Sequence, residues 1–402
     1  MSELAINGGK AVRTAPFPLY NTIGKEEKNA VNRVMDSGVL SKYIGVWHKD
    51  FYGGVEVQAF EREWEKRFGV KHAIAMNSAT SALIASVGAL GIKPGDEVIV
   101  SPYTMVASVS CVLWWGGVPV FADIEPEYFC LDPKSVEAAI TPHTKAIIVV
   151  DIFGGVYDVE RIAAIAKKHN LKIVEDAAQA PGASHKGKGA GTFADIGVYS
   201  LNFHKHIHTG EGGVAVTEDD VLAERLQLIR NHAEAVVEAK GDPDQKLIGQ
   251  NYRLTEMQAA IGREQLKKLD ALVAQRRKNC AYLAERLRDL PGIVPAPERA
   301  GSEHVFYVQP FLYDEKIVGV TRKRFIEALL AELPGASISG GYVKPIYRMP
   351  LFGITKDLCP TTERLYNSEL LLHEMMHPGM STKDLDDVIE AFHKVYLHRD
   401  EL

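Results

Sequence analysis

The 402-residue chain is short of several things: it has four cysteines, no long apolar run, no excess of one charge and no low-complexity tract. Each shortage excludes something. Cys111, Cys130, Cys280 and Cys359 are widely separated and form no CxxC pair, so neither a disulfide scaffold nor a structural zinc site is expected, and a reducing cytoplasm fits best. No apolar stretch approaches the ~20 residues that span a bilayer, so no membrane insertion is expected. The opening Met1-Ser2-Glu3-Leu4 has no basic region followed by an apolar core, so no signal peptide is expected. The 46 basic and 52 acidic residues give a net charge of −6 spread without runs, which offers nucleic acid no basic stripe to displace its counterions.

What is present is an ordinary soluble composition on a chain too long for one growing core, so two domains are expected, 1–266 and 267–402. Between residues 72 and 217 short apolar runs read as strands: His72 to Asn77, Glu97 to Tyr103, Val118 to Ile124, Ala146 to Phe153, Lys172 to Asp176, Ile196 to Ser200 and Gly213 to Thr217. Ala146 to Val150 is apolar throughout, which suits a strand buried on both faces. Helix-like stretches such as Ser81 to Leu90 and Val159 to His169 fill most gaps, so the fold class is α/β with a mainly parallel sheet. Such a sheet carries its ligand beyond the carboxyl ends of the strands. From Thr255 to about Leu290 the pattern turns helical; beyond Pro291 a strand (His304 to Leu312), a helix (Thr321 to Leu333), a proline-marked loop region and a last helix (Thr382 to Leu397) follow.

Four polar clusters carry chemistry, most of them at a strand end. Asn77-Ser78-Ala79-Thr80-Ser81-Ala82 places small residues at a helix start, where an anion could approach backbone N–H groups; an ordinary N-cap by Ser78 or Thr80 explains it as well. Val174-Glu175-Asp176-Ala177-Ala178-Gln179 ends an apolar strand in an acid, suited to a protonated ring nitrogen, with a helix cap as the bland alternative. Ser200 to Gly213 puts Lys205 on a tight connection between strands, flanked by His204, His206 and His208. Such a lysine is a nucleophile once desolvation lowers its pKa. Gly249 to Glu256 is polar and turn-like ahead of a helix.

In order and placement these clusters resemble the sugar aminotransferases of the DegT/DnrJ/EryC1/StrS family, which have the aspartate-aminotransferase (type I) fold, a mainly parallel seven-stranded sheet with a smaller α+β C-terminal domain. The likeness covers nearly the whole chain. It runs from Ser37-Gly38 through Gly95-Asp96-Glu97-Val98 and Pro119-Val120-Phe121-Ala122-Asp123 to the lysine loop, ending Thr209-Gly210-Glu211-Gly212-Gly213, and Asn251-Tyr252-Arg253. The resemblance implies pyridoxal 5'-phosphate as cofactor, bonded to Lys205, which then carries the protons of the amino transfer. By the same resemblance Asp176 would pair with the ring nitrogen, Gln179 would approach the phenolic oxygen, and Ala79, Thr80 and Ser200 would hold the phosphate. Asn251 would reach that phosphate from a neighbouring subunit, which makes a homodimer or a higher multiple the expected unit. Two positions depart from the pattern. Met105 stands where many relatives stack an aromatic ring on the cofactor, with Tyr103 two residues earlier as a possible substitute, and Asn202 stands where many have histidine.

The implied reaction is a ping-pong transfer from glutamate or glutamine to a keto group, in surface polysaccharide, lipopolysaccharide or secondary-metabolite assembly. Implied acceptors are nucleotide-linked keto-hexoses, keto sugar acids such as an oxidised octulosonate, and keto-cyclitols. Three alternatives stand beside it. Related sugar 3-dehydratases carry histidine in place of the lysine, whereas Lys205 is present here. A pyridoxal-phosphate-binding regulator without chemistry would carry an added DNA-binding module, and none is evident. His373-Glu374-Met375-Met376-His377 spells the HExxH of zinc proteases, but Pro378 and Gly379 would stop any helix there.

Overall fold

A computed structural model describes residues 2–233 and 247–402. Its first nine strands are β1 (His72–Met76), β2 (Glu97–Val100), β3 (Val118–Phe121), β4 (Thr144–Val150), β5 (Lys172–Asp176), β6 (Ser184–His185), β7 (Lys188–Gly189), β8 (Ile196–Ser200) and β9 (Gly213–Thr217). Seven of them form the central sheet in the order β1-β9-β8-β5-β4-β2-β3. The pairings β3–β2, β2–β4, β4–β5 and β5–β8 are parallel, while β9 lies antiparallel between β8 and β1. The expected α/β class with a mainly parallel sheet is what forms. Three of the expected strands end three residues earlier than the apolar runs do, and the first ends one residue earlier. In the second, Pro102 follows Ser101 and the Tyr103 N–H turns back to the Ser101 hydroxyl at 3.0 Å, so the ladder stops at Val100.

Both faces of this sheet are covered, which is why its strands are apolar on both sides. Along β4, Ile147 and Val149 join one core with Val57, Phe60 and Trp64 of the helix Val55–Phe68. Ala146 and Ile148 point the other way, into a core with Ala82, Leu83 and Val87 of the helix Ala79–Ala89. The alternation follows from the two-residue period of a strand.

A second sheet, antiparallel and in the order β10-β12-β14-β13, is built from β10 (Ile293–Pro295), β12 (Gln309–Tyr313), β13 (Ile338–Gly340) and β14 (Leu370–His373); β11 (Ser302–Glu303) pairs with β6 in a minor sheet. The strand expected from His304 starts instead at Gln309, because Phe306 takes φ +50°, outside the extended region. A third core packs on this sheet, with Phe311, Phe325, Leu329, Val388 and Phe392 at its centre.

One helix serves both halves. Glu256–Leu287 begins with a capping box in which the Thr255 hydroxyl accepts from the Gln258 N–H at 3.3 Å and the Gln258 amide oxygen accepts from the Thr255 N–H at 3.1 Å. Its Leu266, Leu269 and Val273 lie in the first core, and its Cys280, Leu283 and Leu287 lie in the third. No helix among the described residues is long and apolar enough to cross a membrane.

Candidate active site

The carboxyl ends of β1, β5 and β8 and the amino end of β9 share one edge of the sheet, where three of the polar clusters converge, while the fourth adjoins the end of β1 through the Asn77 N–H to the Tyr252 carbonyl at 2.9 Å. Between them is a cavity of about 190 Å³ lined by Ala79, Thr80, Met105, Asp176, Gln179, Ser200 and Lys205, seven of the nine expected site residues, with Ser78, Thr104, Asn202, His204 and Glu211 beside them.

Lys205 sits on the loop from β8 to β9, a loop closed by the Leu201 N–H to the Gly212 carbonyl at 2.8 Å. Its side chain is buried, and its ammonium lies 4.2 Å from the centre of the Tyr307 ring. Burial lowers its pKa to about 8, against the opposing pull of the Asp176 and Glu374 charges. Asp176, the last residue of β5, is buried as well. Its Oδ2 accepts from the Ser108 hydroxyl at 2.7 Å and its Oδ1 accepts from the Ala178 N–H at 3.1 Å. Burial raises its pKa while these two donors and Lys205 hold it down. A further hydroxyl, Thr104, lies 3.0 Å from that of Ser108.

One end of the cavity is the start of the helix Ala79–Ala89. Its first N–H groups have no partner within the helix. The Ser78 hydroxyl takes the Ser81 N–H at 3.0 Å and the Ser78 carbonyl takes that of Ala82 at 3.1 Å, which leaves the Ala79 and Thr80 amides beside the cavity. Gly213 makes the approach possible, since a Cβ there would stand 2.4 Å from the Ala79 nitrogen. Gln179 is fixed at both ends of its amide: Oε1 accepts from the Phe153 N–H at 2.6 Å and Nε2 donates to the Tyr342 hydroxyl at 2.8 Å.

Two expected residues lie elsewhere. Tyr103 does not line the cavity; it is fully buried, its hydroxyl reaches the Gly341 carbonyl at 3.3 Å, and it packs edge-on to Phe153 and Tyr342. It cannot replace the missing ring at Met105, which is half-exposed at the mouth. Asn251 is exposed, away from this chain's own cavity, with its Oδ1 accepting from Arg253 Nε at 2.8 Å. The HExxH stretch is no helix. His373 ends β14, buried against Phe311, and burial pushes its pKa down to about 3. His377 lies beyond the strand in a turn, where its Nδ1 takes the Gly379 N–H at 3.2 Å. No group of three or more potential metal ligands occurs among the described residues.

A carboxylate at the back, an amine across from it, and free amides with hydroxyls at a helix start together fit pyridoxal phosphate: an acid for a protonated ring nitrogen, an amine for its aldehyde, and donors for its phosphate. Residues 21–393 match the DegT/DnrJ/EryC1/StrS aminotransferase family. The chain belongs to this family. It is 33% identical over 430 residues to an L-glutamine:2-deoxy-scyllo-inosose aminotransferase of Streptoalloteichus tenebrarius, covering 100% of this chain and 99% of that one. Among solved structures, DesI in the presence of its TDP-sugar product superposes with a TM-score of 0.86 at 29% identity, covering 99% of this chain and 97% of that one. A GDP-4-keto-6-deoxymannose-3-dehydratase with a trapped pyridoxal-phosphate–glutamate geminal diamine superposes at 0.80 and 26% identity, over 94% and 100%. The protein therefore has the type I fold and is an aminotransferase dependent on pyridoxal phosphate.

Sequence reasoning missed Ser108 and Thr104, which follow β2 rather than forming a cluster of their own. It also missed Tyr307 and Tyr342, which come from the C-terminal part of the chain. For Tyr342 the Gly340-Gly341 pair ahead of it was the one local signal.

Proposed function

We propose that this aminotransferase carries an amino group from glutamate or glutamine to a keto group of a sugar or cyclitol, working as a homodimer or a higher multiple in the cytoplasm. One observation carries the reading: Lys205 and Asp176 share a cavity whose far end is the open start of a helix. When bound, pyridoxal phosphate supplies an electron-withdrawing ring and a carbonyl that takes up the amino group. Asp176 would keep the ring nitrogen protonated, Gln179 would face the phenolic oxygen, and Ala79, Thr80 and Ser200 would take the phosphate. Asn251, exposed and adjoining Asn77 through the Asn77 amide to its carbonyl at 3.2 Å, would reach a partner's phosphate. Lys205 Nζ, with a pKa lowered to about 8, can both accept and return a proton above one face.

The acceptor's character is supported by the cavity wall. Lys205 is the sole lysine or arginine among the described residues lining it, and Asn202 presents a buried Oδ1 without a hydrogen-bond partner while its Nδ2 donates to Glu211 at 2.9 Å. An unpaired acceptor of this kind suits a hydroxyl-rich molecule. A keto-cyclitol, the acceptor in the name of the Streptoalloteichus relative, and the sugar unit of a nucleotide-linked hexose both qualify. Surface polysaccharide and secondary-metabolite assembly are the settings that use such products. Lys205 stands against the dehydratase reading, since that group carries histidine in its place.

The test is the absorption spectrum of the purified protein with glutamine or glutamate added, repeated with Lys205→Ala. A visible band that the donor moves into the near ultraviolet is the expected result, with no such response in the variant. A protein that gains no band on incubation with pyridoxal phosphate would overturn the reading, and a band unmoved by either donor would return the regulator to consideration.

A further inference from the structure

Besides the Tyr307 ring on Lys205, the C-terminal part of the chain reaches the site through a hydrogen bond from Gln179 to Tyr342 whose geometry is constrained. Gln179 is buried, and its amide cannot turn over, because that would set its NH₂ against the Phe153 N–H that now donates to Oε1 at 2.6 Å. The amide nitrogen therefore has two hydrogens to place. One goes to the Tyr342 hydroxyl at 2.8 Å. The other is left for the cavity that Gln179 lines.

Tyr342 is itself held by the scaffold rather than by chance. It takes φ +35°, a conformation rare for a residue with a Cβ, directly after Gly341 at φ +71°. A Cβ on Gly341 would meet the Tyr366 carbonyl at 2.3 Å, and that carbonyl is fixed by the Arg322 guanidinium at 2.8 Å. The Tyr103 hydroxyl pins the Gly341 carbonyl at 3.3 Å, and the Phe153 ring stands edge-on to that of Tyr342 at 5.1 Å. Burial, with the charges of Glu374 and Asp176 nearby, outweighs the Gln179 hydrogen bond and pushes the phenol up to about 12, so it stays neutral around neutral pH.

We infer that Tyr342 is a positioning residue for the cofactor ring: by taking one N–H of Gln179 it aims the other at the ring's phenolic oxygen, from the opposite half of the molecule. The inference rests on the reading that Gln179 faces that oxygen. A donor held on the phenolic oxygen favours its charged form, so losing the aim makes that oxygen more basic.

The experiment is a pH titration of the visible absorption band of the cofactor-loaded protein, for the parent, Tyr342→Phe, Gln179→Ala and the double variant, with thermal stability measured on the same samples. Tyr342→Phe is expected to raise the midpoint by roughly half a unit to one unit, the scale of one ordinary hydrogen bond. In the Gln179→Ala background the same change is expected to have no further effect on the midpoint. A shift that adds in full to that of Gln179→Ala, or a loss of thermal stability with the midpoint unmoved, overturns the inference. Should Tyr342→Phe not fold, Tyr342→Leu, which likewise removes the acceptor, is expected to raise the midpoint in the same way, and an unmoved midpoint there overturns the inference equally. A parent protein without a visible band would refute the cofactor reading itself, a failure distinct from either of these.

Discussion

A lysine acts as a nucleophile only once it has lost its proton, so the pH at which Lys205 does so sets when the apoprotein can take up its cofactor. Its pKa lies near 8 instead of the ordinary 10.5, because desolvation outweighs the carboxylates that oppose it. The reactive form therefore grows as pH rises and is complete a unit or so above about 8. The rate at which apoprotein captures pyridoxal phosphate, followed by stopped-flow absorbance, is expected to rise through about pH 8 and level off. A rate still climbing at 10.5 would mean an unperturbed lysine. Lys205 and Asp176 were legible in the sequence since each ends or follows an apolar strand, and the sheet brings strand ends together. Ser108 was not: its hydroxyl matters only because the start of the helix Ala107–Trp114, which packs against β2 and β3, brings it to Asp176 at the end of β5, a meeting that no local pattern announces. Tyr103 misled for the opposite reason, since nearness in sequence to Met105 put it one step back in the core.

At the scale of elements the close approach of β9 to the helix Ala79–Ala89 decides whether the helix start stays open. Gly213→Ala would place its Cβ 2.4 Å from the Ala79 nitrogen, 2.5 Å from the Ser78 carbonyl carbon and 2.6 Å from the Ser78 oxygen. All three are backbone atoms, so the helix itself must shift. The variant is expected to lose about 1–3 kcal/mol of stability and to bind pyridoxal phosphate more weakly, measured by thermal denaturation and by fluorescence titration. Unchanged cofactor affinity would show that the helix start does not hold the phosphate. The strands were readable because their burial on both faces leaves continuous apolar runs, and β5, β8 and β9 match the expected spans residue for residue. Strand ends were less readable, since turns such as that at Ser101 are made by one side chain and one N–H.

For the whole molecule, the exposed Asn251 and the cavity it does not reach make the partner subunit a testable matter. If Asn251 serves a neighbour's site, Lys205→Ala and Asn251→Ala should each be inactive or weak alone, yet regain activity when unfolded together and refolded as mixed dimers. Random pairing is expected to restore about a quarter of the parent's sites, because half the dimers are mixed and each holds one intact site. No recovery in mixtures shown to contain mixed dimers would place Asn251 outside the site. The division of the chain near residue 266 was drawn from a change of texture, and the physical object found there is a helix that belongs to both cores. That helix acts as a through-beam. A chain cut at 266 would strip Leu269 and Val273 from the first core and leave Cys280, Leu283 and Leu287 on a helix without its capping box, so each half is expected to lose stability when cut there.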